Sequence, residues 1–278
     1  MKILALGDFH GKFPEKLRNE AKKADLILST GDFANADKIR KLVFKHWTKK
    51  SWIDAVGIRK AKKLEKECFN SGLKAINGLN SFGKKVYTVF GNTDFYKRDQ
   101  YLDSKNISPG YFDAKIKRLK NFVLIDRKKS KIKNLEIIGH GGYLDITDYI
   151  KYPIDKEKKK QKIRLERYKK YEKSLFKLFS DKKPKNFIFL IHYPPYKIFD
   201  RVKNKESPMY GKHAGFEPYN RIIKKYQPLL CICGHMHEYQ GMKKLGKTVI
   251  INPGPAFEGK AALIDIEWQK IKSIKFLR

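Results

Sequence analysis

Cys233-Gly234-His235-Met236-His237-Glu238 follows an apolar run at residues 228–232, and the reading of that junction decides the fold. If the run is a buried strand, Gly234 ends it and two imidazoles project from the loop at its carboxyl end, where open α/β sheets place their ligands. The i, i+2 spacing of His235 and His237 suggests a metal. By itself the pair leaves three readings open: metal ligands, surface histidines, or a hydrogen-bonded structural pair.

Working outward, the same junction recurs. The apolar residues 186–191 end at His192-Tyr193-Pro194-Pro195, where two prolines forbid an immediate helix and leave His192 displayed. Residues 85–90, with their β-branched members, stop at Gly91-Asn92-Thr93-Asp94. Residues 25–29 stop at Thr30-Gly31-Asp32-Phe33, and residues 2–6 at Gly7-Asp8-Phe9-His10-Gly11, whose glycines allow a tight turn. One Gly-Asp after a strand is ordinarily only a turn. Repeated, the junctions collect Asp8, His10, Asp32, Asn92, His192, His235 and His237, which include four of the seven histidines. Mixed nitrogen and oxygen ligands in this number exceed the needs of one ion and suit two first-row metals. A further strand, 135–138, runs into Gly139-His140-Gly141-Gly142, where His140 is either a site residue or a loop histidine.

The segments between these strands are basic and helical, near 37–82 and 151–182, with a shorter helix from Pro14 to about Lys23. In the first segment Phe44, Trp47, Trp52, Ile58, Leu64 and Phe69 read as core-facing, with a break near Ser51 or Gly57. In the second, residues 151–173 hold eleven Lys or Arg against four Asp or Glu. Beneath that charge Leu165, Tyr168, Tyr171, Leu175 and Leu178 recur at helical spacing, so an amphipathic helix is expected. A helix near 219–226 and strands at 248–251, 261–266 and 271–276 complete the chain.

Site residues running from the first strand to the last third point to one domain, 1–278. No run approaches the length of a membrane span, and Met1 leads directly into a strand, so no signal peptide and a cytoplasmic location are expected. Cys68, Cys231 and Cys233 are too few and irregular for a disulfide framework and read as small buried apolar residues. With 63 Lys plus Arg against 29 Asp plus Glu, a formal +34, the field draws polyanions. Nucleic acid is therefore a possible partner, and a merely solvated lysine-rich face the alternative.

Taken in order, Asp8-Phe9-His10, Gly31-Asp32, Gly91-Asn92, His192 and Gly234-His235-Met236-His237 resemble the D-x-H, GD, GN, lone-His and GHxH blocks of the calcineurin-like metallophosphoesterases, across nearly the whole chain. The stretch 233–238 and Asn252-Pro253-Gly254 are also similar to a branch of small, stand-alone archaeal and bacterial members. The resemblance implies an α/β four-layer sandwich of two mixed β-sheets flanked by helices, the metallo-dependent phosphatase fold. It implies two divalent ions, manganese first, with iron, zinc, nickel or cobalt also suited. Asp8, His10 and His237 would hold one, Asn92, His192 and His235 the other, and Asp32 would bridge them. Its chemistry is hydrolysis of a phosphate ester by in-line attack of a metal-bridging hydroxide, with no Ser or Cys nucleophile. One departure bears on the substrate: the residue after the GN Asn is a His in many members, and here it is Thr93, which cannot act as a general acid. A phosphodiesterase is therefore expected over a phosphomonoesterase. Asn92, Thr93 and His213 are expected beside the substrate, with His213 as the substitute imidazole. The alternatives are a nuclease acting on DNA or RNA through the basic surface and a catalytically silent scaffold of the same fold.

Overall fold

A run of consecutive apolar residues is stable as a strand only where both of its faces are covered, because successive side chains point to opposite sides. In the computed structural model, which describes residues 1–47, 49–103, 105–153, 158–180, 184 and 186–278, such runs build two six-stranded mixed sheets. The strands are β1 (Lys2–Leu6), β2 (Leu26–Ser29), β3 (Lys85–Thr88), β4 (Phe122–Leu124), β5 (Lys128–Ile132), β6 (Leu135–His140), β7 (Phe187–Ile191), β8 (Leu230–Ile232), β9 (Gly241–Leu245), β10 (Thr248–Asn252), β11 (Ala261–Glu267) and β12 (Lys270–Leu277). One sheet has the order β12-β11-β1-β2-β3-β4, the other β5-β6-β7-β8-β10-β9. Strands β1 to β4 pair in parallel, as do β6, β7, β8 and β10, so their carboxyl ends share an edge in each sheet.

The helices are α1 (Leu17–Lys23), α2 (Asp37–Lys45), α3 (Trp52–Val56), α4 (Ile58–Asn80), α5 (Phe112–Ile116), α6 (Thr147–Lys151), α7 (Lys158–Lys177) and α8 (Glu217–Tyr226). Strand alternation sorts the core into layers. Ile3 and Ala5 of β1 meet Ile188, Leu190 and Ile232 from the facing sheet. The other face of β1, Leu4 and Leu6, packs with Leu17 of α1 and Ala75 and Ile76 of α4. Likewise Phe187, Phe189 and Ile191 pack with Leu175 of α7 and Ile222 of α8. The result is helix, sheet, sheet, helix, with each fully buried aliphatic side chain contributing about 1.5–3 kcal/mol. The three cysteines are buried and unpaired, and burial pushes the Cys231 thiol well above its ordinary value.

Two segments differ from expectation. The 37–82 segment forms three helices, broken at both candidate positions: Ser51 accepts a hydrogen bond from Ile53 N–H at 3.2 Å, and Gly57 adopts φ 81°. Phe69 is in the core, but Phe44, Trp47 and Trp52 are only half-buried and Ile58 is 52% exposed. Within 151–182 the helix is α7, whose Tyr171 and Leu175 are buried while Leu165 stays exposed. Residues 48, 154–157 and 181–182 of these two segments lie outside the described residues. Among the described residues no helix is long and apolar enough to cross a membrane.

Candidate metal centre

The loops after β1, β2, β3, β7 and β8 meet where the carboxyl ends of the two sheets adjoin, and they bring the seven sequence-predicted residues together. Ligand atoms of Asp8, His10, Asp32 and His237 all lie within 4.8 Å of one another, as do those of Asp32, His192 and His235. Asp32 belongs to both groups. Asn92 joins the second, its Oδ1 lying 3.0 Å from His192 Nε2 and 2.7 Å from His235 Nδ1.

Packing so many polar groups at the end of a sandwich constrains the backbone. Asp8, His10, Asp32 and His235 have φ of 55°, 45°, 54° and 67°, in the left-handed region. Each such residue costs about 1–3 kcal/mol and persists only where its surroundings fix it. Two glycines give the room: a methyl on Gly91 would collide with the Asp32 carboxylate, and one on Gly234 would stand 2.7 Å from Asp8 Oδ2. Hydrogen bonds complete the fixing. His235 N–H donates to Asp8 at 3.1 Å, and Thr93 N–H donates to Asp32 Oδ1 at 2.9 Å. The buried Asp94 carboxylate accepts from the backbone N–H of Asp32, Phe33 and Gly91 at 2.7–2.8 Å, tying the loop after β2 to the loop after β3.

The donor set fits a cation. His192 Nδ1 lies 2.8 Å from the Thr30 carbonyl oxygen and so donates its proton there. In the neutral ring Nε2 then presents a lone pair, and as the amide is oriented it faces the Asn92 carbonyl oxygen. Two acceptors opposed in this way repel unless a positive charge lies between them. His10 Nε2 is buried with no hydrogen-bond partner, 3.9 Å from Asp32 Oδ2. Burial, with the charge of His192 next, lowers His235 to about 3, which keeps the ring neutral and able to ligate. Burial opposes ionisation of Asp8, but its hydrogen bond to His237 and the nearby imidazoles outweigh it and hold the carboxyl at about 2.

Two supporting residues went unremarked in the sequence. Asp37 opens α2 and its Oδ1 lies 3.2 Å from His10 Nδ1, placed to orient the imidazole of a candidate ligand; the His10 bond holds Asp37 at about 2. Asp94 is the other. The signal for both was present as carboxylates close after Gly31-Asp32 and Gly91-Asn92, but nothing in their spacing distinguishes a supporting carboxylate from a solvated one.

His140 and His213 are placed elsewhere. His140 is fully buried between the Tyr219 hydroxyl (2.8 Å from Nδ1) and Ser174 (3.3 Å from Nε2), which makes it a satisfied core histidine. His213 Nδ1 contacts Asp200 Oδ1 at 2.8 Å, its backbone N–H donates to Asp148 at 2.8 Å, and its ring stands against Tyr196. The structure does not bring it to the cluster. The cluster opens into a cavity of about 690 Å³ bordered by His10, Asp32, Asn92, His235 and His237, and His213 is absent from the described residues that line it. Thr93 does line it, with its hydroxyl turned to the Ala34 carbonyl oxygen at 3.3 Å.

A four-layer sandwich carrying two Asp/His groups that share one carboxylate is the architecture of a metal-dependent hydrolase. The chain matches the family described as metallophosphoesterase, calcineurin superfamily, over residues 1–276, and it belongs to that family. It is a metal-dependent phosphoester hydrolase. The uncharacterized protein MJ1162 of Methanocaldococcus jannaschii is 26% identical over 260 residues, spanning 92% of this chain and 88% of its own. Among solved structures, one aligns over all of this chain and 98% of its own at TM-score 0.65 and 21% identity. A dimetal phosphatase from Danio rerio aligns over 96% of this chain and 93% of its own at TM-score 0.50 and 11% identity. These two likenesses are of fold.

Proposed function

We propose that the protein is a dinuclear phosphodiesterase, with Asp8, His10 and His237 holding one divalent ion, Asn92, His192 and His235 the other, and Asp32 shared. The observation that carries the reading is the membership of Asp32 in both ligand groups. Such ions, when bound, supply Lewis acidity toward water and toward the phosphoryl oxygens. The protein's part is orientation. Thr93 N–H and the Asp94-tied loops fix the shared carboxylate, and the Thr30 carbonyl fixes the His192 tautomer so that Nε2 faces the site. Asp37 does the same for His10. Manganese is the first candidate because the ligand set is hard to borderline, two carboxylates and an amide oxygen beside four imidazoles.

Preference for diesters follows from what borders the cluster. A monoester with a poor leaving group needs a proton donor, and at the position where an imidazole would stand Thr93 offers none. The scaffold alternative would need a lost ligand, and none of the seven is lost. The test is metal analysis of protein loaded with Mn²⁺, coupled to hydrolysis of bis(p-nitrophenyl) phosphate and p-nitrophenyl phosphate, which share one leaving group. Two ions per chain and at least tenfold higher kcat/KM for the diester are expected; one ion, or preference for the monoester, overturns the proposal. A labelled oligonucleotide cleaved faster than small diesters would replace it with the nuclease reading.

A further inference from the structure

We infer that the part of the cavity away from the metal ligands is a subsite for a hydrocarbon group on the substrate's alcohol, so that the enzyme acts on amphipathic, lipid-like phosphodiesters. This deepens the phosphodiesterase reading and rests on it.

Helix α2 and the turn after it border the cavity. Ile39, Val43, Phe44 and Trp47 recur at helical spacing, which ordinarily marks a face packed into a core, yet no residue of α2 is buried. All four side chains line the cavity, Ile39 also packing against the core between the first sheet and its helices. Trp52 and Ile53 of α3 continue that wall, while Leu144, Ile146 and Met209 line it too. The apolar surface is thus continuous with the ligand cluster in one cavity, whose 690 Å³ is in the range that encloses a ligand of drug-like size. A ligand that leaves its phosphate at the cluster and extends into this space meets hydrocarbon.

The charges in and around the cavity favour a hydrocarbon over a nucleotide. Away from the cluster the described walls carry the carboxyls of Glu65, Asp99 and Asp103 and no lysine, so they offer a second phosphate no countercharge. Glu65 makes no hydrogen bond or ion pair among the described residues; burial, with the charge of Asp103 added, pushes its carboxyl up to about 7, as apolar surroundings do. The lysines of α2, Lys38, Lys41 and Lys45, are on its exposed side, so the positive charge of this arm is turned away from the cavity. Arg40 is the exception. It lines the cavity, with Nη2 3.0 Å from Asp37, the carboxylate that also contacts His10, which places its guanidinium at the phosphate end.

The experiment uses p-nitrophenyl alkyl phosphodiesters with methyl, butyl and octyl chains, and a p-nitrophenyl nucleoside phosphodiester, on the Mn²⁺-loaded protein. kcat/KM is expected to rise about fourfold for each methylene that enters the cavity. Val43→Asp and Phe44→Ala should each flatten that dependence. A second readout needs no metal: Trp47 and Trp52 line the cavity and the remaining tryptophan, Trp268, is 91% exposed, so decyl phosphate below its micellar concentration should shift the emission to the blue with saturation. Hydrolysis with no dependence on chain length, or a nucleoside ester preferred to the butyl and octyl esters, overturns the subsite while leaving the activity. Saturable decyl phosphate binding, weakened by Val43→Asp, with no diester hydrolysed would uphold the subsite and overturn the phosphodiesterase reading alone.

Discussion

The two ends of the cavity are built by opposite means. At the ligand end, Asp8, Asp32 and His192 are 1%, 2% and 0% exposed, sit at the ends of central strands, and are held by hydrogen bonds that cross between loops. At the other end, the arm at 37–56 consists of two short helices without a single buried residue in α2 and with only Ile53 buried in α3. The first end is over-determined by the sandwich. The second can change its side chains without moving the ligands, which is how a fixed chemistry is combined with a variable choice of substrate.

The largest effect expected from a single change lies at the shared carboxylate. Asp32→Ala removes a ligand from both groups, so kcat/KM on bis(p-nitrophenyl) phosphate should fall by roughly a thousandfold or more and metal analysis should show both ions weakened. Loss of one ion only would break the symmetry claimed for Asp32. Next comes the residue that makes this end rigid. Asp94→Ala leaves three backbone N–H groups without their acceptor and should lower unfolding stability by about 3 kcal/mol, read from the urea midpoint. Val43→Ala on the half-buried arm should cost less than about 1 kcal/mol by the same measurement, and equal losses would erase the contrast.

Asp37 lies where the two ends join, because it opens α2 while contacting His10. Asp37→Asn removes the charge that orients the imidazole and should weaken Mn²⁺ binding by about 10–100-fold in a calorimetric titration. It should lower unfolding stability by only about 1 kcal/mol in the urea midpoint, since Asp37 is half-exposed and its partners are His10 and Arg40. An unaltered affinity would show that the arm and the cluster are independent.

The ligand end was legible in the sequence and the arm was not, for physical reasons. A ligand position at the end of a buried strand follows an apolar run, with a glycine between at Asp8, Asp32, Asn92 and His235 and two prolines soon after at His192, so each marks itself. Phe44, Trp47 and Trp52 follow the same helical spacing whether they face a core or a cavity, and the sequence reading put them in the core. Two edge strands, β5 and β9, were missed for another reason, although the edge strand β12 was anticipated. β5 and β9 border the second sheet, and their sequences, Lys-Lys-Ser-Lys-Ile and Gly-Met-Lys-Lys-Leu, lack an apolar run because lysines on an exposed edge guard against pairing with other chains. The inner strands of both sheets, which lack that freedom, were all anticipated within a few residues of their observed limits.

The smallest effect is the one that separates the sequence reading from the structure most directly. His213 was expected to substitute for the imidazole missing at Thr93, which would make His213→Ala far more harmful for unactivated esters than for nitrophenyl esters. In the structure the ring contacts Asp200 and Tyr196 and does not line the cavity. The bond to Asp200 ties down the loop on which Met209 and Ala214 line that cavity, which favours a role in the cavity's shape over one in proton transfer. His213→Ala is therefore expected to change kcat on both substrate kinds by no more than about twofold, and to show its larger effect on KM for esters with long alkyl chains. A selective fall in kcat for unactivated esters would instead place the imidazole at the leaving oxygen during turnover, and the 209–215 loop, rather than the strand ends, would then supply the proton.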